Sequence, residues 1–507
     1  MKKYPIYYPS KEEFLKLTES AQGNLIPVYQ EILGDLETPV SAYFKIAERS
    51  QYSFLLESVE GEEKVARYSF LARDPELIFK SKNKTAEVIR FKNEQETRET
   101  KEITDTPLKF IREIMAQYRL IVTSGLPRFC GGLVGYIGYD VVRFFERLPS
   151  RPKDDLDLPD MLLILAKNLV IFDHRSHQIK VVSCVEFDPH STNEEKSQHY
   201  ERATKTIDQL VKELNRPLNR NLPMLANEES EVKSNVTEDE FIHMVKVAKK
   251  KIKAGDIIQV VLSQRFEVPI KTSPFNIYRA LRALNPSPYM YYLNFKDLQI
   301  IGSSPELLVR CEQGLVETRP IAGTRRRGSN EKEDQALQED LLKDPKEKAE
   351  HIMLVDLGRN DLGRVCQKGS VKISEFMGIE KYSHVMHIVS NVKGRLQKGK
   401  DAFDVLQAAF PAGTVSGAPK IRAMEIIDEL ERISRGPYAG AIGYFSFSGN
   451  LDTCITIRTI VVSKGNAYIQ TGAGIVADSV PQKEYTETVN KAKAQVMAIK
   501  IAQSQIA

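Results

Sequence analysis

The feature that most restricts the fold is a series of short strand-like segments at hairpin spacing, with helical segments between them. The strand-like segments are 52–57, 65–71, 161–172, 179–186, 257–268, 384–392, 441–448, 453–462 and 467–471. Strands joined at this spacing pair antiparallel, and the interspersed helices must cover the sheets they form. The pattern therefore predicts an α+β fold whose sheets are largely antiparallel.

Length and composition indicate an ordinary globular protein. The chain has 507 residues, 42% hydrophobic and 28% charged. This length allows two or three domains, or one large interleaved domain. A polar, Pro- and Asn-rich stretch at 216–235 predicts a linker, and it divides the chain into 1–187, a helix and linker at 188–235, and 236–507.

Charge and targeting signals exclude several classes of protein. The net charge of +4 is too small to favour nucleic acid binding, but it is compatible with an anionic small molecule. Five irregularly spaced cysteines indicate neither a disulfide framework nor a zinc site. Neither a signal peptide nor an apolar run of membrane-spanning length is found, so a cytoplasmic protein is expected.

An acidic residue lies on the apolar face of a predicted helix at 345–364. Glu350 shares that face with Met353 and Leu354, and Glu347 lies one turn earlier. A buried carboxylate must be paired, protonated or bound to a metal. The alternative is an acidic first turn that is favoured by the helix dipole.

A second predicted helix, 482–501, repeats this spacing with Glu484 and Glu487. Two helices that each present two carboxylates can hold a hard cation between them. Mg²⁺ needs only one or two carboxylates when the substrate supplies further oxygens. The alternative is that Glu487 and Lys491 form an ordinary exposed i, i+4 ion pair.

Glycine-rich segments offer candidate anion sites, although none matches a nucleotide motif. The run 131–140 does not enter a helix as a dinucleotide fingerprint does, and 413–420 lacks the Walker spacing. The latter precedes a helix whose free N–H groups suit an anion. Either this loop or the Gly472–Gly474 segment can also be a simple turn.

Two further features are ambiguous from the residues alone. Arg325, Arg326 and Arg327 form a short basic run, which favours a solvated loop or substrate gate over a nucleic-acid patch. His387 alternates with apolar residues on a predicted strand, as a packed core histidine would. No Ser/His/Asp constellation supports nucleophilic acyl chemistry.

Eight motifs together resemble the chorismate-utilising enzymes, in the order known for that superfamily. They are 131–140, 259–265, 304–306, 319–325, 350–361, 413–420, 436–438 and 470–474. The similarity covers nearly the whole chain and is greatest to the anthranilate synthase component I (large, aminase subunit) family. It implies antiparallel sheets that form a sandwich surrounded by helices, with a regulatory site in the N-terminal domain and chorismate bound by the C-terminal domain.

The resemblance implies a Mg²⁺ ion held by Glu350 and Glu487, with Glu347 and Glu484 completing its shell through water. It also implies the side chains and amides that bind chorismate. These are Gly323, Thr324, Tyr438, Arg458, Gly472, Ala473, Gly474 and Lys491.

The same resemblance implies catalytic roles. Glu306 resembles the general acid that protonates the departing C4 hydroxyl, and His387 resembles the residue needed for the later loss of pyruvate. Thr414 falls on a substrate-site position of the family. The reaction implied is amination of chorismate to 2-amino-2-deoxyisochorismate, followed by release of anthranilate and pyruvate, the first committed step of L-tryptophan biosynthesis.

Two positions distinguish the relatives. Isochorismate and salicylate synthases carry a lysine where this chain has Gln259, and a neutral amide cannot activate water as that lysine can. Aminodeoxychorismate synthases often carry a nucleophilic lysine where this chain has Ala322. Both positions favour ammonia as the nucleophile and anthranilate as the product. The nearest alternative function is that of an aminodeoxychorismate synthase. A more distant alternative is a catalytically silent regulatory or nucleic-acid-binding protein.

The resemblance also implies feedback inhibition by L-tryptophan. The contacts implied are Ser58, Pro288, Tyr289 and Met290, with Glu57 available to the ammonium group; the alternative is plain strand and turn packing. Since the chain contains no glutaminase, the family implies a separate glutamine amidotransferase subunit as partner, in a heterodimer or heterotetramer. Without that partner the chain is expected to use ammonium salts.

Overall fold

A computed structural model describes residues 6–20, 23–58, 67–92, 95–149, 151–218, 231–382 and 385–504. Within these ranges the strands form two large sheets, and their ladders are antiparallel. The predicted α+β, largely antiparallel fold is confirmed. No helix in the described ranges is long and apolar enough to span a membrane.

Sheet A contains, in spatial order, β1 (Tyr7–Tyr8), β2 (Leu25–Leu33), β11 (Gln178–Glu186), β10 (Asn168–Asp173), β4 (Tyr68–Arg73), β3 (Tyr52–Glu57), β14 (Tyr289–Phe295), β15 (Leu298–Ser304), β24 (Thr459–Ser463), β25 (Asn466–Ile475), β13 (Gln259–Pro269) and β12 (Lys233–Ser234), with β21 (Gly417–Ala418) beside β13. Sheet B contains β18 (Ile321–Arg326), β20 (Val385–Arg395), β17 (Leu315–Thr318), β16 (Leu307–Glu312), β23 (Leu451–Ile455), β22 (Ala441–Ser446), β8 (Gly132–Ile137), β9 (Met161–Ala166), β5 (Leu77–Lys82), β6 (Thr85–Lys92) and β7 (Gln95–Glu102), with β19 (Lys372–Lys381) beside β20.

The helices described are α1 (Lys11–Ser20), α2 (Pro39–Ile46), α3 (Pro107–Ala116), α4 (Asn193–Leu214), α5 (Glu238–Lys253), α6 (Pro274–Leu284), α7 (Glu331–Lys343), α8 (Pro345–Gly363), α9 (Ala402–Ala409), α10 (Lys420–Leu430) and α11 (Pro481–Ser504). Short 3₁₀ helices lie at Tyr139–Phe144 and Gly413–Val415. The helices predicted at 345–364 and 482–501 are confirmed as α8 and α11.

The two sheets pack face to face over one large core. In β14, Tyr291 and Leu293 belong to the core between the sheets, whereas Met290 and Tyr292 belong to a second core under the helices on the outer face of sheet A. This alternation follows from the two-residue period of a strand. The arrangement is the sandwich surrounded by helices that the resemblance implied.

Both sheets combine strands from the two predicted domains. In sheet A, β3 pairs with β14, and in sheet B, β8 pairs with β22. The predicted domain division, with boundaries at 187 and 236, stays a prediction. Residues 219–230, which are most of the predicted linker, lie outside the described residues. So do positions 65, 66 and 384, which belong to two predicted strands.

Two predicted strands were wrong, because each is two strands in different sheets. The apolar run 161–172 divides at the buried Lys167 into β9 of sheet B and β10 of sheet A. Residues 453–462 divide into β23 of sheet B and β24 of sheet A, with Arg458 between them at φ +52°. A continuous apolar run does not reveal a change of sheet, since both strands are buried on both faces.

Candidate active site

Glu306 lies where the chain passes from sheet A to sheet B, between β15 and β16. Its backbone carbonyl accepts a hydrogen bond from the Ile455 amide (3.0 Å), next to the β23–β24 passage that contains Arg458. The passages from β15 to β16 and from β23 to β24 thus place the side chains of Glu306 and Arg458 at one site. Burial raises the pKa of Glu306 to about 7, and the neighbouring Thr414 hydroxyl and Lys491 oppose that rise.

A cavity of about 380 Å³ joins most of the predicted substrate and catalytic residues. This volume falls in the range of small-molecule sites. The predicted residues that line it are Glu306, Thr324, His387, Thr414, Tyr438, Arg458, Gly472 and Lys491. Gly323, Ala473 and Gly474 do not line it, although the Gly323 carbonyl contacts His387.

His387 projects from β20 opposite an irregular position in β18. The register of this pair shifts between Ala322 and Thr324, and Gly323 has a φ of +80° that favours glycine. His387 Nδ1 lies 2.9 Å from Thr324 Oγ1 and 3.2 Å from the Gly323 carbonyl oxygen. Because a carbonyl only accepts, this contact assigns the proton to Nδ1 and leaves Nε2 as the basic nitrogen. Burial lowers the pKa of His387, so the ring is neutral at pH 7 and can accept a proton.

Two cationic side chains provide positive charge in the cavity. Lys491 Nζ donates to the Gly472 carbonyl (3.0 Å), and Arg458 Nη1 donates to the Lys491 carbonyl (3.4 Å). Gly472 is needed here, since a Cβ at this position would lie 2.6 Å from the Tyr438 hydroxyl oxygen. The cavity therefore suits a ligand that carries carboxylates.

The four predicted metal ligands lie on two helices, two on each helix. On α8, Glu350 accepts from Gln259 Nε2 (3.2 Å) and Glu347 pairs with Arg325 (3.1 Å). On α11, Glu487 pairs with Lys491 (2.6 Å), which is the ordinary i, i+4 pair considered above. Glu487 lies in an open groove that shares Arg458 and Lys491 with the cavity.

The donor set fits Mg²⁺, but it is not a preformed cage. Among the described residues, no three His, Cys, Asp or Glu side chains converge on one point. Burial raises the pKa of Glu347 and of Glu484, and the charges of Glu350 and Glu487 respectively add to these shifts. A cation near either pair would relieve this repulsion, and carboxylate oxygens are the ligands that Mg²⁺ prefers.

The cavity also contains polar groups that sequence reasoning missed. Gln470 lines it, and its buried Oε1 accepts no hydrogen bond from the described residues. Asn285 and Ser287 line it as well. Gln470 stands in the 470–474 motif, so the signal was present. Asn285 and Ser287 directly precede the predicted tryptophan contacts Pro288 and Tyr289, and no role of their own was predicted for them.

The basic run at 325–327 is not a solvated loop. Arg325 and Arg326 belong to β18, and Arg325 pairs with Asp340, Asp344 and Glu347. Arg326 pairs with Glu333 and Arg327 with Asp334. Since acidic groups of α7 and α8 neutralise all three, the run is a poor nucleic-acid patch.

A second cavity, of about 60 Å³, lies between the sheets and joins the four predicted regulatory residues. Ser58, Pro288, Tyr289 and Met290 line it. Glu57 also lines it, and its carboxylate already accepts from Arg282 (2.9 and 3.1 Å) and from Tyr278, so its availability to an ammonium group stays a prediction. Asp452, which accepts from the Tyr289 hydroxyl (2.9 Å), is a lining acid that no sequence signal indicated.

Comparisons with known proteins show which family the chain belongs to. The profile of the chorismate binding enzyme family matches residues 72–497. The chain is 51% identical to anthranilate synthase component 1 of Aquifex aeolicus, over 97% of this chain and 98% of that one, and 49% identical to that of Acetivibrio thermocellus, over 98% and 99%. The crystal structure of anthranilate synthase component I from Streptococcus pneumoniae superposes with a TM-score of 0.75 at 40% identity, covering 92% of this chain and 99% of that chain. The chain therefore belongs to the chorismate binding enzyme family, in its anthranilate synthase component 1 branch.

Proposed function

We propose that the chain converts chorismate and ammonia to anthranilate and pyruvate by way of 2-amino-2-deoxyisochorismate, in a Mg²⁺-dependent lyase reaction in the cytoplasm. The names of its relatives support the conversion of chorismate to anthranilate. The observation that carries the proposal is one cavity that contains a carboxyl group with a pKa of about 7, a neutral histidine and two cations.

The cations bind and orient the substrate. Arg458 and Lys491 attract its two carboxylates, and the Tyr438 hydroxyl can donate to one of them. Glu350, Glu487, Glu347 and Glu484 would hold the Mg²⁺ ion, which when bound withdraws electron density from the conjugated ring. Chorismate would supply further oxygen ligands to this ion, since Mg²⁺ commonly takes part of its shell from the substrate.

Glu306 and His387 move the protons. Glu306 is largely protonated below pH 7, and it donates its proton to the hydroxyl that leaves C4 while ammonia attacks C2. His387, through Nε2, serves the elimination of the enolpyruvyl group that completes anthranilate. Gln259 donates to Glu350 and cannot activate water, and Ala322 places no amine at the position where some relatives carry a nucleophilic lysine. Lys491, the amine that does line the cavity, is held by the Gly472 carbonyl and Glu487, and external ammonia is the nucleophile in this proposal.

Ammonia comes from a second subunit in this proposal. The relatives are named component 1, which implies a second component, and we assign it as a glutamine amidotransferase.

The test of the proposed function incubates the purified chain with chorismate, Mg²⁺ and ammonium chloride and follows anthranilate by fluorescence and mass. Anthranilate formed with ammonium but not with glutamine supports the proposal, whereas a para-amino or hydroxylated product contradicts it.

Removal of the histidine should separate the two half-reactions. We expect His387→Ala to aminate chorismate and to accumulate 2-amino-2-deoxyisochorismate, because the group proposed for pyruvate loss is gone while Glu306 remains. Chromatography with mass detection measures the intermediate. Normal anthranilate output without the intermediate would remove His387 from the scheme.

We further propose that L-tryptophan inhibits the enzyme by binding the cavity between the sheets. Ser58→Arg should make activity resistant to tryptophan, because a long cation at this wall would occupy the space that the effector needs. The cavity of about 60 Å³ is smaller than tryptophan, so its walls must move apart when the effector binds. The measurement is the tryptophan concentration that halves activity, with Ser124→Arg, at an exposed turn outside this cavity, as the matched control. Unchanged inhibition of Ser58→Arg would place the effector elsewhere.

A further inference from the structure

A small cavity meets the active-site cavity at Glu306 and Thr414, which line both. Its volume is about 40 Å³, which is enough for one or a few water molecules. Most of its wall is apolar. Besides the two shared residues, its polar lining is Thr318, Arg319 and Asp361.

Asp361 is the acidic group that lines this cavity without lining the active-site cavity. It projects from α8, and its carboxylate accepts from Lys420 Nζ at 3.1 and 3.0 Å. The side chain is 14% exposed, so it also reaches solvent. Asp361 thus connects the cavity behind Glu306 with the surface.

The proposed reaction creates a need for such a connection. In each turnover the Glu306 O–H bond breaks, and its proton leaves with the C4 oxygen as water. The ammonia that forms the C2–N bond becomes an amine by giving up one proton to solvent, so the turnover as a whole consumes no proton. The Glu306 carboxylate must regain one proton before the next substrate can react, while bound substrate and product occupy the other cavity.

We propose that the small cavity holds the water that reprotonates Glu306, and that Asp361 takes this proton from solvent and passes it on. One proton moves from solvent to Asp361, then to the cavity water, and then from that water to the Glu306 carboxylate, so charge and atoms balance. This inference rests on the proposed function, because it requires Glu306 to act as the acid.

The surrounding charges are consistent with this transfer. Burial raises the pKa of Asp361 against the opposing charges of Lys420 and Arg364, which brings it closer to that of Glu306. Glu306 itself faces Lys491 and the Thr414 hydroxyl. Arg319 pairs with Glu380, and its buried Nε has no hydrogen-bond partner among the described residues, so a cavity water can accept from it.

The test compares first and repeated turnovers of Asp361→Asn with ammonium as the nitrogen source. With enzyme in excess over chorismate, Glu306 starts protonated, and we expect the rate of the first turnover to equal that of the unaltered chain. With chorismate in excess the rate should fall at least about tenfold, since a positioned proton-transfer group contributes about 10²- to 10⁴-fold. Imidazole buffer should restore the repeated-turnover rate by supplying the proton directly.

Lys420→Gln is the matched control, since it loses the same ion pair but keeps the carboxyl group. A deficit of equal size in both variants that imidazole does not repair would show a structural role and overturn the inference. So would an unchanged repeated-turnover rate in Asp361→Asn, a slowed first turnover, or a defect confined to KM for ammonium, which would make the cavity an ammonia route. If the unaltered chain forms no anthranilate even in its first turnover, the proposed function itself fails.

Discussion

Glu306→Gln is expected to lower kcat by about 10²- to 10⁴-fold, the usual contribution of a positioned general acid. The amide keeps the size of the side chain and its polar contact with Thr414, but it has no proton of suitable acidity to give to the leaving oxygen. Steady-state anthranilate fluorescence at saturating chorismate, Mg²⁺ and ammonium measures the effect. Glu339→Gln, at an exposed position on α7, should leave kcat unchanged.

The pH dependence provides an independent test of the same group. Burial raises the pKa of Glu306 to about 7, and the acid form is the active one. Activity at a constant concentration of unprotonated ammonia should therefore be complete below pH 7 and fall as the pH rises through about 7. A rate that rises through this range, or Glu306→Gln with normal turnover, would exclude Glu306 as the acid.

Glu350→Gln is expected to abolish Mg²⁺-dependent turnover while leaving the fold intact. Changes to groups that merely support a metal ligand cost about 10- to 100-fold in affinity, so loss of a direct ligand should weaken Mg²⁺ binding by about 100-fold or more. Titration calorimetry with Mg²⁺ in the presence of anthranilate, alongside the activity assay, measures both effects. Thermal unfolding should change little, because glutamine can still accept from Gln259.

The matched control is Asp356→Asn on the same helix. Asp356 is exposed and pairs only with Arg359 among the described residues (2.9 Å), so Mg²⁺ binding should be unaffected. Glu487→Gln should reproduce the effect of Glu350→Gln if one ion joins α8 and α11. Unaltered Mg²⁺ dependence of Glu350→Gln would leave Glu350 as no more than the partner of Gln259.

The ion pairs of the predicted metal ligands show what helical spacing alone cannot predict. The i, i+3 spacing on each helix is a property of the helix period, and both helices lie where predicted. The spacing says nothing about which cation each carboxylate meets. The Glu487–Lys491 pair could be predicted from its i, i+4 spacing, whereas the pair of Glu347 with Arg325, 22 residues away in sequence, is shown only by the packing of β18 against α8.

The regulatory residues illustrate the same limit. The resemblance implies Ser58 and Met290 as contacts of the effector, and the pairing of β3 with β14 brings them to one cavity. Glu57 is implied in the same way, but its carboxylate already accepts from Arg282 and Tyr278. Whether a charged residue is free for a ligand depends on its nearest partner in space.

The sequence by itself determined the helices with their acidic faces and the antiparallel character of the sheets. It also determined the residues at Gln259 and Ala322, on which the proposal of ammonia as the nucleophile depends. Only the tertiary structure decided which sheet each apolar run joins, and hence that Glu306 and Arg458 meet at two crossings between the sheets. The physical reason is that helix faces and strand alternation depend on neighbours a few residues apart. The sheet that each strand joins, the lining of the cavity and the pairing of charges depend instead on contacts between residues that are distant in sequence. An apolar run does not predict those contacts.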